Sequence, residues 1–433
     1  MTLWSVAAYL LLPYAALSLI WRGLRYPAYW HRWPQRLGFV PSLRGQRIIW
    51  VHAVSVGEVR SAAALIRALD KQYPQHRVLV TTMTPTGSDQ VRELFGDRVM
   101  HSYVPYDFPD AVARFFNRIE PELAVIAETE FWPNIFRACK RRGIPLCLVN
   151  VRMSRASYEG YLWVSKTART MFASADLVCA QTALDAERLR NLGVEARLID
   201  VTGNLKFDVP VPDSLLEEAR ALRVQWGTER PVWIAASTHP GEERQILDAF
   251  AVLKRKYADL LLVLVPRHPE RFTAVVRICE RRVGRVAQRS YETGALSADT
   301  DVLVGDTMGE LQRLYAASDL AFIGGSLVRK GGQNLLEACA VGVPVVFGPH
   351  MFHFEEISAM ALQRGAARQV DDGQALADVV DSYLTDTEAR RAAGRAALGL
   401  IEENRGALSL SLRLMTEKLR ASGFPRDTGG PSA

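Results

Sequence analysis

Short apolar runs alternate with amphipathic segments along most of this 433-residue chain, and the alternation occurs in two successive series. An apolar run of roughly four to eight residues is typical of a buried strand, and an amphipathic segment after it is typical of a covering helix. The first series has such runs at 48–53, 78–82, 123–127, 146–149 and 177–180, and the second has them at 232–236, 260–265, 302–304, 320–323 and 343–347. Each series therefore predicts an α/β, doubly wound domain of the Rossmann type, with a parallel sheet between helices.

Breaks in the alternation indicate the domain boundaries. Pro210 and Pro212 interrupt any regular element after the first series. Two such domains in series also predict a cleft lined by the carboxyl ends of the strands. We predict a membrane anchor with the start of a basic collar at 1–25, a first domain at 26–208, a linker at 209–230, a second domain at 231–386, C-terminal helices at 387–422 and a disordered tail at 423–433.

The N-terminus predicts the membrane anchor. Residues 3–21 are apolar and uncharged, which is near the length of a membrane-spanning helix, and Arg22 and Arg25 follow at once. Positive charge after the apolar stretch differs from a cleaved signal peptide, and it predicts that the domains lie on the cytoplasmic side of the inner membrane. A helix that lies on the membrane surface and a buried N-terminal helix are the alternatives.

The distribution of charge and of cysteines indicates which partners and which cellular compartment to expect. Six arginines precede the first acidic residue, Glu58, and they equal the whole net charge of +6. This basic collar suits anionic membrane lipids better than a nucleic acid. The five cysteines lie far apart in apolar runs without paired spacing, as is typical of reduced core residues in a cytoplasmic protein.

Glu58 is the first candidate for chemistry. It follows the first apolar run in the segment 50–60, where Gly57 breaks the run just before a helical pattern. Free backbone N–H groups and the helix dipole at such a position would keep its carboxylate ionised, which suits a base. Ordinary capping of the helix is the alternative.

Two further carboxylates, Glu128 and Glu130, follow the third apolar run of the first series. If they are buried beside Phe131 and Trp132 they need hydrogen-bond donors or a cation, and Lys206 is the candidate. A purely structural ion pair is the alternative.

Turns after the second series of strands carry glycines, hydroxyls and cations. Glycines at 324–325 and 331–332, before a helix expected from Asn334, could hold a phosphate on backbone N–H groups, and Glu337 could accept from ribose hydroxyls. A plain glycine-rich connection is the alternative. Similar turns occur at 237–243, 265–270 and 306–311, and the last of these precedes a helix expected from Met308 with free backbone donors at its start. Together the turns favour a nucleotide.

We expect neither a metal nor a cofactor. His350 and His353 have no helix to fix their spacing, and no Asp-x-Asp motif offers a site for a metal diphosphate. No Gly-x-Gly-x-x-Gly follows the first strand, which argues against a dinucleotide oxidoreductase.

Eight segments, taken in order, resemble the Kdo transferases of lipopolysaccharide synthesis, and the resemblance extends from the anchor to about residue 365. The segments are 50–60, 81–87, 128–134, 203–208, 237–243, 266–270, 308–311 and 331–337. The resemblance implies a GT-B glycosyltransferase fold and an inner-membrane enzyme. Such an enzyme transfers 3-deoxy-D-manno-octulosonic acid (Kdo) from CMP-Kdo to a lipid A precursor, lipid IVA, with inversion and without a metal.

The resemblance also assigns roles to residues. It implies that Glu58 is the general base and that Glu128 or Glu130, with Lys206, supports the transition state. The positions that hold CMP match Pro266, Arg267, Met308, Gly309, Glu310, Asn334, Leu335, Leu336 and Glu337. Two positions depart from the pattern of many relatives, since Gln333 stands where a histidine is common and Pro240 where a glutamate is common.

Three other functions compete with this interpretation. Another membrane-associated GT-B glycosyltransferase would share the fold but would not need the Gly57–Glu58 turn together with Lys206. A nucleotide-sugar epimerase uses the same fold without a lipid acceptor, and the predicted anchor counts against it. A non-catalytic membrane adaptor would not need Glu58 or the nucleotide-binding turns.

Overall fold

The computed structural model describes residues 4, 9, 10, 12–292 and 294–421. The chain divides into two compact units. The first unit comprises the described residues up to Asp208 together with those from Arg405 onward, and the second comprises Val209–Asn404. Each unit contains a seven-stranded sheet, in which the strands pair in parallel throughout.

The sheet of the first unit has the order β3-β2-β1-β4-β5-β6-β7. Its strands are β1 (Ile48–His52), β2 (Arg77–Thr82), β3 (Met100–Tyr103), β4 (Leu123–Ala127), β5 (Leu146–Val151), β6 (Leu177–Ala180) and β7 (Ile199–Val201). Trp50 of β1 lies opposite Leu79 of β2 and Ala124 of β4. The strand order reverses between β1 and β4, and in sheets of this kind the ligand site lies at the carboxyl ends of the strands beside that reversal.

Helices connect the strands of the first unit. They are α1 (Leu12–Arg25), α2 (Val56–Gln72), α3 (Pro85–Phe95), α4 (Pro109–Ile119), α5 (Pro133–Arg142), α6 (Arg155–Trp163), α7 (Ser165–Phe172) and α8 (Ala183–Asn191). Their starts follow from capping chemistry: Thr84 accepts from the N–H of Gly87 at α3, and Thr182 and Asp185 form a reciprocal capping box at α8.

The central strands of the first sheet are buried on both faces. Ile48 and Trp50 belong to one hydrophobic cluster, whereas Ile49 and Val51 belong to another. Successive side chains of a strand point to opposite faces, so the two clusters lie on opposite sides of the sheet. This burial explains why β1 is an uninterrupted apolar run.

The second unit repeats this architecture with the strand order β10-β11-β9-β8-β12-β13-β14. Its strands are β8 (Val232–Thr238), β9 (Leu261–Pro266), β10 (Arg285–Gln288), β11 (Thr300–Val304), β12 (Leu320–Ile323), β13 (Val345–Phe347) and β14 (Ala367–Gln369). Its helices are α9 (Leu215–Trp226), α10 (Glu242–Lys254), α11 (Phe272–Arg282), α12 (Leu311–Ala316), α13 (Leu336–Cys339), α14 (Glu355–Gln363), α15 (Gly373–Thr385) and α16 (Thr387–Asn404). The order reverses between β8 and β12.

The predicted linker and the predicted C-terminal helices form parts of the two units. The predicted linker 209–230 contains α9, whose Leu215, Leu222 and Trp226 are buried. The C-terminal helical stretch is divided between the units: α16 belongs to the second, whereas a last helix, α17 (Ala407–Ala421), belongs to the first. The Asp208 carboxylate fixes the start of α17 by accepting from the N–H groups of Gly406 (2.7 Å) and Leu408 (2.8 Å).

Within the described residues, α1 covers the second half of the predicted anchor and continues to Arg25. Among the residues that the structure describes, no helix is both long and apolar enough to cross a membrane. Residues 1–3, 5–8 and 11 of the predicted anchor and the whole predicted tail 423–433 lie outside the described residues. In α1 the side chains of Leu17, Trp21 and Leu24 are exposed, and Arg22 and Arg25 lie in the last turn.

Candidate active site

Glu58 lies at the carboxyl edge of the first sheet, beside the reversal of strand order. The strand β1 ends at His52, and Ser55 caps α2 by accepting from the N–H of Glu58 (3.5 Å). The Glu58 carboxylate accepts in return from the N–H of Val54 (2.5 Å) and from the hydroxyl of Ser55 (3.3 Å). Glu58 therefore is part of a capping arrangement, as the structural alternative predicts, and its position at the sheet edge also suits a base.

The environment of Glu58 favours its neutral form. Burial raises the pKa of Glu58 to about 8, and the nearby carboxylates of Glu128 and Glu130 add to this effect. The Val54 N–H and the Ser55 hydroxyl lower this pKa but do not outweigh burial. The expectation that the helix terminus keeps Glu58 ionised is therefore wrong for the free protein, because two like charges and desolvation dominate over the helix end.

Glu128 and Glu130 occupy the loop after β4. Glu128 has a left-handed backbone with φ +60°, a conformation that costs a non-glycine residue on the order of 1 kcal/mol and is concentrated at functional sites. Burial raises the pKa of Glu128, while the cations of Lys206 and Arg152 counteract that rise. Burial also raises the pKa of Glu130 to about 7, and Glu128 contributes to this by its negative charge.

Lys206 reaches this group from a 3₁₀ turn, Leu205–Phe207. The turn is fixed at two points: Asn204 accepts from the Lys206 N–H (3.0 Å), and Asn150 accepts from the Leu205 N–H (3.0 Å). The first unit thus brings together all four residues for which the sequence predicts catalytic roles, and Lys206 interacts with Glu128 as expected.

Two members of this group were missed by the sequence analysis. Arg152 directly follows β5, so the rule that identified Glu128 after β4 could have found it. Tyr161 of α6 stacks on Phe131 (5.3 Å between ring centroids). Burial, and then the Glu130 carboxylate, raise the pKa of Tyr161 to about 12. No local pattern marks Tyr161, because its position depends on how α6 packs beside the loop after β4.

The second unit gathers cations at the carboxyl edge of its sheet, near the reversal between β8 and β12. Pro266 ends β9, and the Arg267 N–H donates to the carbonyl of Thr238 at the end of β8 (3.0 Å). Burial lowers the pKa of His239 to about 4, and the positive charges of His268, Lys330, Arg267 and Arg271 lower it further. This edge is therefore electropositive, which suits an anionic ligand.

The glycine turn after β12 holds an anion of the protein's own. The buried Glu242 carboxylate accepts from four backbone N–H groups, those of His239 (2.9 Å), Gly325 (2.7 Å), Ser326 (3.0 Å) and Leu327 (3.0 Å). A side chain more than 80 positions away in sequence thus already occupies the N–H groups of Gly325 and Ser326, so the first of the two predicted glycine pairs, 324–325, does not offer these donors to a phosphate. A phosphate contact at the second pair, 331–332, stays a prediction.

The segment 308–310 offers fewer backbone donors than predicted. The helix α12 begins at Leu311 rather than at Met308, and it has only six residues. Met308 is exposed and Gly309 has a left-handed φ of +81°. The Glu310 carboxylate is engaged by Arg289 (3.1 Å), Arg313 and Thr307, so it is held within its own turn.

The segment 334–337 presents two polar side chains and two apolar ones. Leu335 and Leu336 are fully buried, so that only their backbone is available to a ligand. The Asn334 side chain accepts from the Leu336 N–H (3.1 Å) and donates to Glu337 (3.3 Å). The helix α13 begins at Leu336 and has four residues, hence Glu337 lies in its first turn rather than one turn into a helix from Asn334.

Gln333 takes a defined position in the same loop. Its amide donates to Nε2 of His239 (3.2 Å), which the lowered pKa keeps neutral. The departure from histidine at this position therefore gives a neutral pair with His239 instead of two imidazoles.

Two Rossmann-like α/β units with parallel sheets, each with polar groups at its carboxyl edge, and a match to a glycosyltransferase family model identify a GT-B-like glycosyltransferase. Family models agree: one for glycosyl transferases of group 1 matches residues 229–399, and one for 3-deoxy-D-manno-octulosonic-acid transferase (kdotransferase) matches residues 31–209. The chain is 40% identical to the 3-deoxy-D-manno-octulosonic acid transferase of Haemophilus influenzae, over 91% of this chain and 92% of that one. The chain belongs to the Kdo transferase family.

Two solved structures resemble parts or all of the fold. The C-terminal CMP-Kdo binding domain of WaaA from Acinetobacter baumannii is 36% identical, covers 43% of this chain and 98% of its own, and has a TM-score of 0.42. The UDP-GlcNAc 2-epimerase of Neisseria meningitidis, bound to UDP-GlcNAc, is 14% identical, with coverages of 87% and 100% and a TM-score of 0.53. The epimerase shares the fold alone.

Proposed function

We propose that this Kdo transferase moves Kdo from CMP-Kdo to the lipid A precursor lipid IVA, with inversion at the anomeric carbon and Glu58 as the general base. The grouping of Glu58 with Glu128, Glu130 and Lys206 at the switch point of the first sheet is the observation that carries the proposal. A group whose pKa lies near the working pH is well suited to proton transfer.

In the proposed reaction an acceptor hydroxyl oxygen forms a bond to the anomeric carbon of Kdo. Glu58 takes the hydroxyl proton, and the bond from the anomeric carbon to the phosphate oxygen breaks so that CMP leaves with its electron pair. With a pKa of about 8, about a tenth of Glu58 is ionised at pH 7, and that fraction is a stronger base than an ordinary carboxylate.

The other charged groups support this reaction. Positive charge develops at the anomeric carbon as CMP departs, and the carboxylates of Glu128 and Glu130 are suited to stabilise it. Lys206 and Arg152 favour the ionised form of Glu128. The proposal requires no metal, because the departing charge is on a phosphate that cations of the protein can neutralise.

In the second unit we propose that the cation-rich edge holds CMP. Arg267 and the nearby Lys330 supply the positive charge for the phosphate, whereas Arg271 is paired with Glu243 at 2.5 Å. Asn334 and Glu337 supply polar groups for the nucleoside, and Pro266, Met308, Gly309, Leu335 and Leu336 shape the site through backbone and apolar contact. Glu310 contributes by holding its turn through Arg289 and Arg313.

We further propose that the N-terminal segment attaches the protein to anionic lipids of the inner membrane, with both units on the cytoplasmic face. Exposed Leu17, Trp21 and Leu24 on α1, followed by Arg22 and Arg25 in its last turn, combine apolar and basic surface as membrane-contacting segments do. Alkaline carbonate extraction of cell membranes separates the two modes, because a spanning segment resists extraction and a surface segment is released.

Mass spectrometry of the lipid product tests the function. Detergent-purified protein is mixed with tetraacyl lipid A precursor and CMP-Kdo, with or without EDTA, and a parallel reaction receives UDP-linked sugars. We expect one or more Kdo units on the lipid from CMP-Kdo alone, unaffected by EDTA. Transfer from a UDP sugar but not from CMP-Kdo, or no transfer at all, would refute the donor assignment. Loss of transfer with EDTA and its recovery with a divalent cation would refute the metal-free reaction.

A further inference from the structure

The helix α6 packs on the first unit through two partly buried tyrosines, Tyr158 and Tyr161, which contact one of its hydrophobic clusters. None of its nine residues, all of which the structure describes, is fully buried. Since a surface helix is stabilised by the apolar face that it buries, the exposed apolar residues at the carboxyl end of α6 are left for another contact.

That surface is centred on the turn between α6 and α7. Trp163 is 91% exposed, and its neighbours Leu162 and Val164 are 44% and 40% exposed. A single exposed apolar residue is ordinary, but three consecutive ones that include a tryptophan form a contiguous apolar projection. We call residues 162–164 the apolar turn.

The charge around the apolar turn is positive. Within residues 152–169 of the sequence, four residues are basic and one, Glu159, is acidic. The basic residues are Arg152, Arg155, Lys166 and Arg169. Glu159 is paired with Arg155 at 2.8 Å. An aromatic residue at the tip and cations behind it are the combination that anionic membrane interfaces select.

Aromatic contacts connect the apolar turn to the N-terminal segment. Tyr161 stacks on Phe131, and Phe131 also meets the ring of Trp4 edge to face, with centroids 5.1 Å apart. Tyr161 packs edge to face on Phe172 of α7 as well (5.7 Å). The apolar turn therefore projects from the part of the first unit that also receives the N-terminal segment and that contains Glu130.

We propose that the apolar turn inserts into the interface of an anionic bilayer, as a second membrane contact separate from α1. Trp163 enters the headgroup region, while Lys166 and Arg169 face the lipid phosphates. This contact places the loop of Glu128 and Glu130 next to the membrane surface, where a lipid acceptor lies. The kinetic consequence rests on the proposed function, but the binding itself does not.

Vesicle flotation of the full-length protein measures the binding. The vesicles contain phosphatidylethanolamine and phosphatidylglycerol at 70:30, with pure phosphatidylcholine vesicles as the uncharged comparison. We expect Trp163→Ser to weaken partitioning into the vesicles roughly tenfold. Lys166→Glu should weaken partitioning less, and only into the anionic vesicles. The matched control is Tyr291→Ser, an exposed aromatic residue of the second unit, which is expected to leave partitioning unchanged. Equal binding by all four proteins would overturn the proposal.

Fluorescence locates the side chain. The emission that is lost in Trp163→Phe, taken as a difference from the wild type, is expected to be quenched by brominated lipid in the vesicles. An unquenched difference would show that Trp163 stays out of the bilayer. Sedimentation velocity without lipid tests the other occupant, a second copy of the chain: a change from dimer to monomer in Trp163→Ser would identify the turn as a protein interface instead.

Kinetics separate this inference from the proposed function. For Trp163→Ser we expect kcat/KM to fall about tenfold with acceptor embedded in vesicles and to remain at the wild-type value with acceptor in detergent micelles. Equal losses in both would mean that Trp163 acts in the protein interior and would overturn the membrane contact. If the wild type transfers no Kdo in either system while Trp163→Ser still loses vesicle binding, the proposed function fails and the membrane contact stands.

Discussion

The two units place a buried glutamate at the same point of their folds, after the first strand of the sheet and at the start of the helix that follows that strand, but its surroundings differ. Glu242 follows β8 and its carboxylate accepts four backbone N–H groups. Glu58 follows β1, accepts one backbone N–H and one hydroxyl, and faces two more carboxylates. Burial raises the pKa of both.

The comparison shows how the same residue type can either hold loops together or keep acceptor capacity for a ligand. When a carboxylate accepts from four N–H groups, its lone pairs are all occupied and it holds the loops that carry those groups together. A carboxylate with two donors and like charges nearby keeps free lone pairs and a proton affinity near neutrality. Position in the fold alone therefore does not assign a role, and the number of donors around each carboxylate has to be compared as well.

The largest expected effect separates the two glutamates by activity. Glu58→Gln should lower kcat/KM by about 10² to 10⁴, because the amide cannot accept the acceptor proton. Its melting temperature should equal or exceed that of the wild type, because the side chain it replaces is mostly neutral at pH 7. Initial rates and thermal melts of the variant, beside the exposed control Glu187→Gln, measure both. A variant that retains near wild-type rates would end the case for Glu58 as the base.

The second expected effect is on stability and concerns Glu242. Glu242→Gln replaces one of the oxygens that accept the four N–H groups by an amide nitrogen, which leaves buried donors unpaired. We expect a loss of about 3 kcal/mol and a fall of roughly 6 to 12 °C in the melting temperature of the second unit. Hydrogen exchange at the amides of Gly325, Ser326 and Leu327 should quicken. Unchanged protection of these amides would mean that Glu242 is no tether.

A third effect uses pH to sharpen the comparison. The pKa of Glu58 is raised in the folded protein to about 8, so its contribution to stability is complete below its unfolded value, about 4.5, and is lost as pH rises through about 8. In Glu58→Gln the amide does not titrate, so the variant does not lose stability at this position as pH rises. Chemical denaturation at pH 5 and pH 8.5 should show the variant gaining about 4 kcal/mol relative to the wild type between these pH values. A constant difference would contradict the raised pKa.

The smallest effect tests whether the carboxylates of the first unit are coupled. Removing the charge of Glu130 lowers the pKa of Glu58, because that charge is one cause of its rise. In Glu130→Gln the rising limb of kcat/KM against pH should move to lower pH by less than about one unit, whatever the absolute rate. The Glu187→Gln control should keep the wild-type limb. An unmoved limb in Glu130→Gln would mean that the two groups titrate independently.

The sequence identifies the centre of each sheet and misses its edges. The four strands that sequence analysis does not find, β3, β7, β10 and β14, are the outermost strands of the two sheets. A central strand is buried on both faces and becomes a continuous apolar run, as in β1. An edge strand is short and partly exposed, as in Arg285–Gln288 or Ala367–Gln369, and so carries no such signal.

The candidate site is predictable where it is local. Glu58, Glu128 and Lys206 stand out because they follow strands or turns whose pattern is visible in sequence. The role of Glu242 is hidden because its partners at 325–327 are brought to it by the pairing of β8 with β12. The raised pKa of Glu58 is hidden for the same reason, since it depends on carboxylates 70 positions away that only the sheet brings near. The helix boundaries at 308 and 334 were misjudged because glycine-rich turns end in very short helices.

The return of α17 to the first unit has a consequence for how the protein is made. Ala407, Met415 and Leu419 belong to the same hydrophobic cluster as Ile49 and Val51 of β1. On the ribosome, β1 emerges early but its cluster stays incomplete until more than 350 further residues have been synthesised, whereas residues 209–404 emerge as one uninterrupted stretch. The second unit can therefore finish folding first, and the first unit keeps apolar surface exposed until α17 has been synthesised.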